Sequence, residues 1–277
     1  MSIKELERIA NELRILTLKA IYNAQSGHIG GSFSCAEIIT VLYFHKLKIN
    51  PKDPLWEDRD RFILSKGHAA PMLYAALAKR GFFSEEEFVN NLRKIGGRFQ
   101  GHPDMRKTPG VEMTTGSLGQ GLSVAIGIAL GAKYIDKKSY KVCTLLGDGE
   151  LNEGQIWEAF MSASKYKLDN LICICDRNKV QLDGNTEEIM PLEPLRLKIE
   201  AFGWEVLEVD GHNIEEIIRA LDYAEMVKSK PICIIAYTIK GKGVSFMENT
   251  HKWHGRAPNR EEYEKALEEL MKEGTLI

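Results

Sequence analysis

The most chemically loaded stretch of the chain is "LLGDGELNEGQIWEAF" (145–160), where Asp148, Glu150 and Glu153 sit among glycines between an apolar run and an amphipathic one. Carboxylates this close repel one another and favour a positive charge nearby. Gly147-Asp148-Gly149 falls at the carboxyl end of "KVCTLL", and its glycines allow a tight turn and close approach to a ligand. Asn178, in "CDRNKVQLDG", lies just past the carboxyl end of the next apolar run, "NLICICD". Open parallel sheets bind ligands beyond the carboxyl ends of their strands, so adjacent strand tips can bring Asp148 and Asn178 together. A carboxylate, an amide oxygen and a backbone carbonyl nearby make an all-oxygen set. Such a set suits Mg²⁺ or Ca²⁺, with phosphate oxygens and water as further ligands. The helix opening near Glu153 adds amide donors that favour an anion. The expected occupant is a divalent cation holding a diphosphate. Glu150 is read as no more than a favourable charge at a helix start.

These residues need a scaffold of strands ending side by side, and the second half of the chain alternates accordingly. "KVCTLL", "NLICICD", "WEVLEV" and "PICIIAYT" read as strands. "EGQIWEAFMSASKY", "LRLKIEAFG" and "NIEEIIRALDYAEMV" read as the helices between them, the last with Asn213 as N-cap and Glu216 three residues on. Apolar strands with little alternation are expected where both faces are covered. The fold class is therefore α/β: a doubly wound, mostly parallel sheet flanked by helices. Earlier in the chain, Leu6, Ile9, Leu13, Leu16 and Ala20 share one helical face behind a Ser2/Glu5 capping box. "RFILSKGHAAPMLYAAL" reads as strand, turn and helix, and "SEEEFVNNL" as a helix capped by Ser84. Residues 95–121 are loop-like and glycine-rich. The small-residue helix "LSVAIGIALGAKYI" suits close packing on another helix or on a second copy of the chain. A charged helix is expected over about 259–273, and no composition break divides residues 1–277, which read as a single domain.

Composition removes several function classes. The chain is 44% hydrophobic and 27% charged with a net charge of -2, and its basic residues are interleaved with acids. Nothing there favours nucleic acid or an anionic membrane. The apolar runs are shorter than the roughly 20 residues of a membrane span. The N-terminal segment lacks the continuous apolar stretch of a signal peptide, so a cytoplasmic location is expected. The odd cysteine count gives no disulfide framework, and Cys173 and Cys175 read as buried thiols in a reducing compartment.

"GDGELNEG" followed by "DRNKVQLDG" resembles the thiamine diphosphate-binding motif, which begins GDG and ends at an Asn. "SGHIGG" (26–31), "SKGHAA" (65–70), "QGHPD" (100–104), "TTGSLGQGLS" (114–123) and "TIKGKGVSFMENTHKWHG" (238–255) extend the resemblance to the N-terminal third of transketolase, from about residue 8 to residue 260. The resemblance implies thiamine diphosphate with Mg²⁺, Ca²⁺ being an alternative, and metal ligation by Asp148, Asn178 and the carbonyl of Val180. It implies that His68, Gly116, Leu118, Gly149 and Leu182 meet the cofactor. Glu153 is implied to be a carboxylate buried between two copies of the chain. His28, His102 and His251 are implied to be the catalytic histidines near the substrate hydroxyls or the diphosphate. The "HKWH" pair leaves His251 and His254 to be separated, and His45 and His212 are read as structural.

Transketolases have about three domains, and the resemblance covers the first. Thiamine diphosphate acts as an electron sink that the protein must help to activate. In the family a glutamate of the second domain does this, and arginines outside the first domain grip the sugar phosphate. The resemblance therefore implies an N-terminal subunit that needs a separate C-terminal transketolase subunit, in an α₂β₂ assembly, and moves a two-carbon ketol unit between sugar phosphates of the pentose phosphate pathway. Two alternatives stay open: a split enzyme for another sugar phosphate, similar to 1-deoxyxylulose-5-phosphate synthase, and a non-catalytic binding homologue.

Overall fold

The computed structural model describes residues 1–276. Five parallel strands form one sheet: β1 (Arg61–Leu64), β2 (Val142–Gly147), β3 (Leu171–Arg177), β4 (Glu205–Asp210) and β5 (Ile232–Tyr237). Their order is β1-β2-β3-β5-β4, so β1 and β4 are the edges. Because every pair is parallel, all carboxyl ends open on the same side.

Helices cover both faces. Among the described residues, eleven are met in chain order: α1 (Ile3–Ala24), α2 (Ile29–Phe33), α3 (Ala36–Val41), α4 (Ala70–Arg80), α5 (Glu85–Asn91), α6 (Gln120–Leu130), α7 (Gly154–Lys165), α8 (Thr186–Ile189), α9 (Leu195–Ala201), α10 (Ile214–Met226) and α11 (Arg260–Leu276). Alternate residues of the central strands feed two cores. Leu145, Ile172, Ile174, Ile232 and Ile234 pack with α1, α3, α4 and α10 on one face. Leu146, Cys173, Cys175, Cys233 and Ile235 pack with α6, α7 and α9 on the other. Burial on both faces explains why β2 and β3 are apolar throughout most of their length. β4 departs from that expectation: its burial alternates, as an edge strand permits.

The expected helix starts are found where capping chemistry places them. The Ser2 side chain accepts from the Glu5 N–H while Glu5 reaches back to the Ser2 N–H. Asn213 accepts from Glu216 N–H, and Ser84 from Glu87 N–H. The glycine-rich "SGHIGG" segment runs into α2, a short helix, wholly buried. Its glycines make this possible, since a Cβ on Gly30 would lie 3.1 Å from the Lys240 side chain and from the Trp253 carbonyl.

Leu145 is fully buried in β2. Leu145→Ala should lower stability by about 3 kcal/mol, seen as a lower urea midpoint with an unchanged slope.

Candidate active site

Gly147 of β2 pairs with Asp176 of β3, so Asp148 and Asn178 leave the sheet from neighbouring tips. Asp148 is 2% exposed. Its Oδ1 accepts from the Gly149 N–H at 2.8 Å, and its Oδ2 from the Lys179 N–H at 2.5 Å, with Arg177 Nη1 at 3.2 Å. Burial and the neighbouring Asp176 raise its pKa, more than Arg177 and the two amides lower it. The carboxylate is thus short of positive charge. Asn178 Oδ1 accepts from the Val180 N–H at 3.1 Å. The Val180 and Gln181 carbonyls accept from Lys240 Nζ at 2.9 and 3.2 Å, so this cluster of oxygens already draws a cationic donor. Burial and the nearby Lys66 lower the Lys240 pKa to about 8.

Two buried carboxylates tie the strand tips together. Lys66, in the turn after β1, pairs with Asp176 and donates to the Gly31 carbonyl of α2 at 2.7 Å. Asp176 also accepts from Ser34 Oγ at 2.6 Å and from the Thr238 hydroxyl beyond β5. Burial pushes the Asp176 pKa up, but Lys66 together with the Ser34 and Thr238 hydroxyls outweighs it and the net shift is down. Glu150 does more than the helix-start charge expected from the sequence. It is 2% exposed on a 3₁₀ turn and accepts from the N–H groups of Gly119 and Gly147 at 2.9 and 3.0 Å, and from the Ser65 hydroxyl. One carboxylate therefore fixes the glycine-rich loop before α6 to the tips of β1 and β2.

Four imidazoles gather beside these tips. The His68 ring centroid lies 5.2 Å from that of His254 and 5.4 Å from that of His28. His28 lies 5.5 Å from His254 and 6.2 Å from His102. The fourth ring is His254, not the expected His251, which is exposed on the outer side of the short turn His251–Trp253. The reason is local: Trp253 buries itself against Phe246, and the turn then points the next residue inward, where Lys240 Nζ lies 2.9 Å from His254 Nδ1. His212 is structural, as expected: its Nδ1 lies 2.9 Å from Glu37 Oε2 and its Nε2 accepts from the Ile239 N–H at 2.8 Å. His45 is exposed in the helical turn that extends α3.

A cavity of about 300 Å³ opens among these groups, lined by His68, His254, Asp148, Gly149, Asn178 and Val180, with Leu118, Glu153, Leu182 and Lys240 also on its walls. Leu182 is 59% exposed on its lip, and Glu153 is exposed where α7 begins. Gly116, with φ 140°, lets the His102 ring pack against the backbone, since a Cβ there would lie 2.9 Å from it. Gly149 and Gly31 keep the wall free of side chains: added Cβ atoms would meet Gln181 at 2.9 Å and His68 Nε2 at 3.0 Å. Gln181 Nε2 is buried in this wall without a hydrogen-bond partner among the described residues. An orphaned amide donor, a short-handed carboxylate and a glycine cradle fit a multiply charged anion held with a cation.

Residues 6–273 match the family model of the transketolase, thiamine diphosphate binding domain. The chain belongs to that family. It is similar to the 6-deoxy-6-sulfo-D-fructose transketolase subunit of a Clostridium species, at 48% identity over 98% of both chains. It is 45% identical to an apulose-4-phosphate transketolase subunit of Phocaeicola vulgatus, over 98% of this chain and 95% of that protein. The structure of Campylobacter jejuni transketolase superposes with a TM-score of 0.91 at 39% identity, and there the match covers 98% of this chain but 43% of the other. The parallel α/β sheet is thus the transketolase thiamine diphosphate-binding fold.

Within that fold, Lys66, Lys240, Arg177 and Gln181 line or brace the cavity although sequence reasoning does not single them out, and Glu150 braces it where the sequence suggested only a helix-start charge. The only sequence signal for them is polar residues lodged at the ends of apolar runs. The histidine cluster has a titration consequence. Burial first, then Arg93 and His102, lower the His28 pKa to about 4; burial, then Lys240 and His28, lower that of His254 to about 3. A histidine depressed in the native state stabilises the fold above its unfolded pKa of about 6.5. That stability is lost as pH falls from there through the native values. His28→Gln and His254→Gln should therefore flatten the fall of the urea midpoint between about pH 6.5 and 4, compared with the unsubstituted chain.

Proposed function

We propose that this chain is the cofactor-binding subunit of a two-subunit transketolase, transferring a two-carbon ketol unit from a ketose to an aldose. The placement of Asp148 and Asn178 at neighbouring strand tips beside a histidine-walled cavity carries this reading. Asp148, Asn178 and the Val180 carbonyl would hold Mg²⁺, or Ca²⁺ in its place. Diphosphate oxygens and water would complete the coordination of such an ion. The Gly149 amide, His68, Lys240 and Gln181 would meet the diphosphate. Gly116, Leu118 and Leu182 would line the rest of the cofactor.

Bound thiamine diphosphate supplies the electron sink for breaking and re-forming a carbon–carbon bond beside a ketose carbonyl. The chain's own part is to bind and orient. His28, His102 and His254 are presented as neutral rings able to donate to sugar hydroxyls or move a proton. Of the pair that "HKWH" leaves to be separated, His254 rather than His251 would be the one in the site, because it lies against His68 and His28. Glu153, exposed here, would meet a second copy of the chain, with the small-residue helix α6 beside it.

A separate C-terminal subunit, in an α₂β₂ assembly, is favoured by two relatives that are themselves named as subunits and match this chain over nearly their whole length. Those two names carry a sulfonated and a phosphorylated sugar, so the substrate class proposed is a sugar with a terminal anionic group. Pentose phosphates are one instance of it.

Calorimetry should show thiamine diphosphate binding that depends on Mg²⁺, is removed by a chelator, and is lost in Asp148→Ala and Asn178→Ala. Binding that survives both substitutions would refute the metal assignment. Ketol transfer should be absent from this chain alone and appear when a chain carrying the other two transketolase domains is added. Turnover without that addition would contradict the two-subunit reading.

A further inference from the structure

We infer that Arg93 is a positioning residue that locks His28 in one tautomer, with its Nε2–H offered as a hydrogen-bond donor. This rests on the reading of His28 as a substrate-facing group, but the geometry behind it is independent of cofactor or metal.

Arg93 follows α5 and turns back on itself. Its backbone is left-handed, with φ 58°, and its N–H donates to the Phe99 carbonyl at 2.7 Å. That turn sends the guanidinium towards the histidine cluster. There Nη1 donates to Ser26 Oγ at 2.9 Å, and Nη2 lies 3.0 Å from His28 Nδ1. Gly101 makes room for it, because a Cβ at that position would lie 3.0 Å from Cζ and 3.1 Å from Nε and Nη2. Three separate segments therefore converge: Ser26-Gly27-His28, Arg93, and Gly101-His102.

A guanidinium has donors and no acceptor, and it stays protonated. Its contact with His28 can be a hydrogen bond only if Nδ1 carries the lone pair. In a neutral ring the proton is then on Nε2. Two observations agree. Arg93 is itself half-buried without a carboxylate acting on it, so its charge is not spent on an ion pair. Burial first, and this charge next, oppose protonation of His28 and of His102, which favours neutral rings there. Among the described residues the chain gives Nε2 of His28 no hydrogen-bond partner, so its proton is free for a ligand hydroxyl. The arrangement is the converse of His212. There the Ile239 N–H donates to Nε2, so the proton sits on Nδ1 and faces Glu37.

The test is two-bond proton–nitrogen correlation spectroscopy of the full chain labelled in its histidines, with His28→Gln to assign the signal. At neutral pH, His28 should show a protonated Nε2 and an unprotonated Nδ1, while His212 shows the reverse. In Arg93→Met the His28 signals should move towards a mixture of tautomers, and its titration midpoint should rise. His212 should be unchanged, which reports an intact fold. Gly101→Ala, which displaces the guanidinium without removing it, should produce the same change at His28. If either variant fails to fold, the other decides. With the second subunit present, Arg93→Met should lower turnover per site by roughly ten- to a hundredfold, the usual size of losing a partner that orients a functional histidine, while thiamine diphosphate affinity is retained. A His28 protonated on Nδ1, or signals that do not respond to either substitution in a folded chain, would overturn the assignment. Absence of cofactor binding with the spectral signature intact would instead count against the proposed function alone.

Discussion

The site depends on a lysine and an aspartate that share a space without water. Lys66 and Asp176 are both buried, and each would be costly to hold there unpaired. Paired, they raise the Lys66 pKa to about 12, burial opposing and Asp176 prevailing, and hold Asp176 ionised. A buried pair of this kind is weak evidence for net stability. Its value here is registration. Through it and the bonds to Gly31, Ser34 and Thr238, the turn after β1, the tip of β3, the glycine helix α2 and the segment after β5 are fixed to a common point.

Glu150 repeats this arrangement one layer away, with backbone amides in place of the ammonium. Together the two carboxylates leave Asp148 and Asn178 held at the surface of a rigid floor rather than at the ends of loops. Rigid first contacts supported by a bonded outer layer are what binding of a charged cofactor requires. The placing of charge around the cavity follows from the same layout. Lys66 and Lys240 line the cavity with His68 and His254, opposite Asp148, Glu150 and Glu153, while Arg93 and Arg177 brace His28 and Asp148 from behind.

What could be read from the sequence was what is local or periodic. α1, α5 and α10 announce themselves through caps and apolar spacing, and the strands through unbroken apolar runs. Asp148 and Asn178 were legible because consecutive parallel strands place their tips side by side by rule. The remainder required contacts distant in sequence. α2 is helical because its glycines vanish into the space beside Lys240 and His68, which no propensity scale contains. Glu150 reads as only a helix-start charge because its partners Ser65 and Gly119 are 85 and 31 residues away. His251 and His254 are separated by one turn whose direction is set by the packing of Trp253 on Phe246, a contact that "HKWH" alone does not reveal.

The polar alternation of β4 bears on how copies of this chain can meet. Glu205, Glu208 and Asp210 line the outer edge of the sheet, with Arg196 of α9 bonded across to Glu208 at 2.8 Å. A second β4 laid alongside would bring like charges into opposition and break that bond. The opposite rim, β1, is four residues long and begins with Arg61. Charge at both borders thus works against pairing with another strand.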